Sequence, residues 1–152
     1  MHLAMNTFTQ IIYQIVFSTK HREKTLDEAG HQQLYNFFWG VLKKHHCHLY
    51  RVGGVQDHVH LITSLHPSVS LATLVKDLKG GSSVYIRAES LFVNFNGWQN
   101  GYAAFTYSVE AKDALVAYVK NQADHHRETT YQEELIALLH EQRVTFDEKY
   151  LD

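Results

Sequence analysis

With 152 residues, 45% hydrophobic and 20% charged, the chain has the mix of a globular protein with a real core and not of a disordered one. A formal net charge of −2 does not by itself advertise a nucleic-acid binder, and no apolar run approaches the roughly 20 residues that a bilayer span needs. The polar N-terminal stretch lacks the apolar segment of a signal peptide, and the single cysteine, Cys47, rules out an internal disulfide, so a cytoplasmic location is expected.

One proline, Pro67, and no low-complexity run leave no linker, so a single domain over 1–152 is expected. Residues 11–18, rich in β-branched and aromatic side chains, read as a first strand. Residues 26–46 carry Leu34, Phe37, Phe38, Val41 and Leu42 on a helical stripe, with Gly30 weakening its start. Residues 48–55 and 58–65 read as a hairpin pair. Residues 70–88 place Leu71, Leu74, Val75, Leu78 and Tyr85 on one helix face behind Ser70 as N-cap, with Gly80 and Gly81 as a point of bending. A loop around Trp98 follows, then a strand over 102–109. A helix is expected over 110–127, with Ser108 as a nearby cap, and a shorter one over 131–142. The order β-α-β-β-α-β followed by helices is the ferredoxin-like, split-βαβ arrangement of the α+β class. It implies a four-stranded antiparallel sheet with helices on one face plus C-terminal helices. That fold hosts many functions.

Charge is unevenly spread. Lys20, His21, Arg22 and Lys24 form one basic cluster, and Lys43, Lys44, His45, His46, His48 and Arg51 a second, while acidic residues gather near the C-terminus. Local potential suffices for phosphate contact, but a pair of solvated patches explains the same pattern.

Two constellations carry chemistry. In Asp57-His58-Val59-His60-Leu61, strand alternation turns both imidazoles to one face, where each can give a ring nitrogen to the same metal ion. Twelve histidines make roughly one His-x-His pair expected by chance, so two unrelated surface histidines remain open. In Tyr118-Val119-Lys120-Asn121-Gln122, the spacing of four puts the phenol and the amide on one helix face, with His126 one turn on. A tyrosine oxygen can be a covalent nucleophile and a glutamine carbonyl a neutral metal ligand. A tyrosine packed on the sheet beside an exposed glutamine is the ordinary alternative.

Together these features resemble the single-tyrosine HUH transposases, which move the smallest bacterial insertion sequences. The resemblance runs from about residue 12 to residue 151. It includes the basic turn after the first strand, through Lys20, His21 and Arg22, and the His58-Val59-His60 strand with Asp57 before it. It continues through Tyr118 to Gln122, Tyr131-Gln132-Glu133-Glu134 and the closing Phe146-Asp147-Glu148-Lys149-Tyr150-Leu151. Gln14 departs from the family, which often has histidine there.

The resemblance implies that His58, His60 and Gln122 hold one divalent ion, Mg²⁺ or Mn²⁺. That ion would orient a scissile phosphate for attack by Tyr118, giving a 5′-phosphotyrosine and a free 3′-OH. The substrate would be single-stranded DNA carrying a hairpin, with Lys20, His21, Arg22, Lys76, Lys79 and Arg87 as backbone contacts. The proton acceptor for Tyr118 is unassigned, with His126 as a candidate. A homodimer with active sites shared between subunits is also implied, and Gly101 and the Gly53-Gly54 pair are possible hinges. Rival readings are a metal phosphodiesterase that uses water as nucleophile, a non-catalytic or domesticated hairpin-binding protein, and a zinc site at His45-His46-Cys47-His48.

Overall fold

A computed structural model of the chain describes residues 6–122 and 129–151. Four strands, β1 (Ile12–Ser18), β2 (Leu49–Gly54), β3 (His58–Ser64) and β4 (Ala103–Tyr107), form one sheet in the order β2-β3-β1-β4, with every pairing antiparallel. This is the α+β, split-βαβ sheet. The central pair, β1 and β3, is almost wholly buried because both its faces are covered.

On one face lie α1 (His31–Lys44) and α2 (Leu71–Ala88). Ile15, Phe17, Val59 and Leu61 point to that side and pack with Leu34, Phe38, Leu42, Leu74 and Leu78. Ser70 caps α2 by accepting from the Thr73 backbone N–H at 3.1 Å. The helix runs unbroken through Gly80 and Gly81, and Gly81 lets the Phe37 ring of α1 approach.

The opposite face is covered by α3 (Lys112–Lys120) and α4 (Tyr131–Glu141). There Ile12 and Ile62 meet Leu115 and Val119, while Val16 and Phe105 meet Tyr131, Leu138 and Leu139. Alternation therefore sends Gln14, His58 and His60 toward the α3/α4 side.

The boundaries of α3 differ from expectation. A short 3-10 turn over Val109–Ala111 precedes it, the Ser108 side chain makes no capping bond, and the helix stops at Lys120. Asn121, at φ −94° and ψ 19°, leaves helical geometry while its N–H still closes onto Ala117 and Val119. The rest of the helix expected to residue 127, with His126, lies outside the described residues. No helix among the described residues is long and apolar enough to cross a membrane.

Candidate metal and nucleophile site

The site begins with two fully buried imidazoles, which disposes of the surface-pair alternative. His58 directs Nδ1 at the Asp57 carboxylate at 2.6 Å, and His60 directs Nδ1 at Gln14 Oε1 at 2.7 Å. Both partners are acceptors, so each Nδ1 carries the hydrogen and donates. Each Nε2 is then turned into the same space, where its lone pair can meet a cation, the second-sphere arrangement that fixes metal-binding histidines.

The space between those lone pairs is entered by Glu134 from the first turns of α4. Its Oε1 lies 3.2 Å from His58 Nε2 and 2.8 Å from His60 Nε2. Its Oε2 accepts from the Tyr118 hydroxyl and, at 2.9 Å, from Gln122 Nε2. Glu134 is 3% exposed, so this carboxylate is desolvated and needs positive charge nearby. A carboxylate oxygen at hydrogen-bond distance from two ring nitrogens is compensated by a proton on them or by a cation among them. His58, His60 and Glu134 form a group that could hold a metal ion.

Gln122 gives an independent indication. It is buried, and its Oε1 finds no hydrogen-bond partner. An unpaired carbonyl oxygen beside this cluster is a ligand atom of the kind a hard cation takes. The donor set therefore fits a divalent ion.

Electrostatics follow burial and the carboxylate. Desolvation lowers the His58 pKa, but the Asp57 and Glu134 carboxylates outweigh it and the net shift is upward. Burial first, and Glu134 second, push the Tyr118 phenol well above its ordinary value, so the hydroxyl holds its proton until cationic charge offsets the carboxylate. Tyr131, the first residue of α4, lays its ring 4.6 Å from that of His58. It also walls a groove of about 840 Å³ that reaches Ser18, Gln99, Tyr102, Phe146 and Lys149.

The structure thus brings His58, His60, Tyr118 and Gln122 together within one chain. Two contributors were not read from the sequence. Glu134 belongs to an acidic stretch that reads as surface charge, yet it lies three residues after Tyr131 and four before Leu138, on the buried stripe of α4. That spacing is the signal that could have found it. Gln14, set aside as a departure, orients His60.

The basic residues separate into groups. Lys20, His21 and Arg22 form a turn after β1, next to Ser18, which pairs with His58. His21 and Arg22 both have left-handed backbone (φ 57° and 55°), and the turn is fixed by Lys20 N–H on Gly97 O at 2.9 Å and His21 N–H on Gln99 Oε1 at 2.9 Å. Lys76 and Arg87 are exposed on α2. Lys79 donates to the carbonyls of Gln99 and Gly101 at 2.7 and 2.6 Å and so braces the Trp98 loop. The zinc alternative at residues 45–48 does not assemble. His45 pairs with Asp77 at 2.7 Å, and Cys47 is buried in the α1/α2 core.

The chain is similar to several known proteins. The family model described as transposase, IS200-like, matches residues 7–122. The ISDra2 transposase TnpA of Deinococcus radiodurans is 23% identical over 120 residues, covering 76% of this chain and 86% of the relative. Among solved structures, a Deinococcus radiodurans protein assigned as a transposase superposes with a TM-score of 0.62 at 20% identity, over 80% of this chain and 98% of that one. A REP-associated tyrosine transposase bound to a REP hairpin gives 0.59 at 12% identity, over 83% and 74% of the two chains.

Proposed function

Because the chain belongs to the IS200-like transposase family, we propose that it cleaves and rejoins single-stranded DNA at hairpin-marked ends through a covalent 5′-phosphotyrosine on Tyr118. The observation that carries this reading is the convergence of Tyr118, Gln122, His58 and His60 on one buried carboxylate. A tyrosine hydroxyl beside a donor set that could hold a cation is the pairing that phosphoryl transfer to a side chain requires.

His58, His60 and Gln122 would hold one divalent ion, Mg²⁺ or Mn²⁺, with Asp57 and Gln14 fixing the two imidazoles. Such an ion supplies neutralisation and in-line orientation of a scissile phosphate. The Tyr118 hydroxyl gives up its proton as its oxygen bonds to phosphorus, the bond from phosphorus to the 3′ oxygen breaks, and that oxygen takes up a proton and leaves as a 3′-OH. The new ester keeps the phosphodiester energy, so a 3′-OH from another strand can reverse the step and restore Tyr118 without a nucleotide cofactor.

The turn Lys20-His21-Arg22, beside the His58 end of the site, contacts the DNA backbone in this reading, with Lys76 and Arg87 more distant. Hairpin recognition is supported by the neighbour solved with a REP hairpin. The groove that shares Tyr131 with the site gives the unpaired strand a way past the histidines.

The test is a labelled single strand carrying a hairpin-marked element end, incubated with Mn²⁺ or Mg²⁺ and run on a denaturing gel. The expected result is a protein–DNA adduct that disappears in Tyr118→Phe, in His60→Ala and with EDTA. Cleavage that survives Tyr118→Phe without an adduct would show a water-using phosphodiesterase. Binding with no cleavage in either metal would leave a hairpin-binding protein.

A further inference from the structure

Glu134 reaches the site from α4, a segment beyond the residues 7–122 that the family model matches. Its position is firmly built. Thr130 and Glu133 form a reciprocal capping box at the start of α4, with Glu133 N–H on Thr130 Oγ1 at 3.2 Å. Tyr131, Leu138 and Leu139 dock the helix on Val16 and Phe105. A carboxylate in the opening turns of a helix is also favoured by the helix dipole.

The two oxygens of this carboxylate have divided tasks. Oε1 lies at hydrogen-bond distance from the Nε2 atoms of both His58 and His60, while Oε2 accepts the Tyr118 hydroxyl and the Gln122 amide. We propose that Glu134 joins the metal centre to the nucleophile, with Oε1 as a ligand beside His58 and His60 and Oε2 as the acceptor that holds the Tyr118 hydroxyl at the site. Adding an anionic oxygen to two imidazoles moves the donor set toward hard ions such as Mg²⁺ and Mn²⁺. The same side chain keeps the attacking oxygen one carboxylate's width from the ion. Glu134 is thus a ligand on one side and a positioning residue on the other. The positioning half rests on Tyr118 being the nucleophile; the ligand half does not.

The experiment titrates Mn²⁺ into the full chain without DNA, following free Mn²⁺ by electron paramagnetic resonance. It compares wild type, Glu134→Gln, Tyr118→Phe and the double variant. Glutamine keeps the shape of the side chain and removes its charge. The expected result is a loss of Mn²⁺ affinity of about tenfold or more in Glu134→Gln. The double variant is expected to depart from the product of the single effects by about threefold or more, as groups sharing one contact do. At saturating Mn²⁺, adduct formation by Glu134→Gln should fall in kcat with KM for DNA little changed. Affinity equal to wild type in Glu134→Gln overturns the ligand half, and strictly multiplicative effects overturn the link to Tyr118. Should Glu134→Gln fail to fold, Glu134→Asp, which withdraws the carboxylate by one methylene, decides the ligand half in the same titration. If the wild-type protein forms no adduct, the proposed function falls while the Mn²⁺ titrations still judge Glu134.

Discussion

Gln14 illustrates how much of a buried site depends on one amide. It sits fully buried in the middle of β1, and its Oε1 takes the Nδ1 hydrogen of His60 while its Nε2 donates to the Tyr107 hydroxyl at 2.9 Å. Substitution by leucine keeps the volume but removes the acceptor that fixes the His60 tautomer. Gln14→Leu is therefore expected to weaken Mn²⁺ binding by roughly 10–100-fold, the usual consequence of losing a second-sphere partner. Calorimetric titration checks this, and unchanged affinity would mean that His60 is oriented by packing alone. At this scale the sequence was half legible. Strand alternation put His58 and His60 on one face, because period 2 is a local property. The partners of His60 come from 46 and 74 residues away in sequence, and nothing local in Gln14 or Glu134 marks them as its neighbours.

Among the elements, α3 matters most, because its seat on the sheet sets where Tyr118 stands. A Cβ at Gly53 of β2 would lie 2.6 Å from the Val119 carbonyl oxygen and 2.9 Å from the Val119 side chain. The carbonyl is helix backbone and cannot step aside without carrying Tyr118, the preceding residue, with it. Gly53 is thus a point of close approach and not a hinge. Gly53→Ala should destabilise the fold by about 1–3 kcal/mol, the range for overpacked sites, and lower adduct formation further than stability alone explains. Thermal unfolding alongside the gel assay separates the two effects.

A milder case is the capping box of α4. Thr130→Ala should cost about 1 kcal/mol in thermal stability, and Thr130→Ser should recover most of it. The elements themselves were well marked, since apolar stripes on α1 and α2 and β-branched runs in β1 and β3 agree with their final faces. The end of α3 was not. Lys120-Asn121-Gln122 carries no glycine or proline to stop a helix, yet Asn121 leaves helical geometry.

For the whole molecule, the question is whether one chain suffices. The family resemblance implies a tyrosine helix shared between subunits, yet here the site closes within the chain. β4 ends at Tyr107, a single 3-10 turn follows, and α3 starts at Lys112. The connection lays the helix directly across the sheet, where Leu115 and Val119 bury against Ile12 and Ile62. Handing α3 to a partner would expose that cluster and break the Tyr118 and Gln122 bonds to Glu134 unless the partner rebuilt both. Mixing Tyr118→Phe chains with His60→Ala chains tests this directly. Each chain lacks one half of the site, so an in-chain site predicts no adduct at any ratio, even if the chains associate. A mixture that regains activity, reaching at most about a quarter of the sites for random pairing because each heterodimer restores one site of its two, would show that the tyrosine of one subunit serves the histidines of the other. Size-exclusion chromatography supplies the control, because a mixture that dimerises and stays inactive argues for two self-contained sites, whereas wild type that runs as a monomer and forms the adduct makes exchange unnecessary.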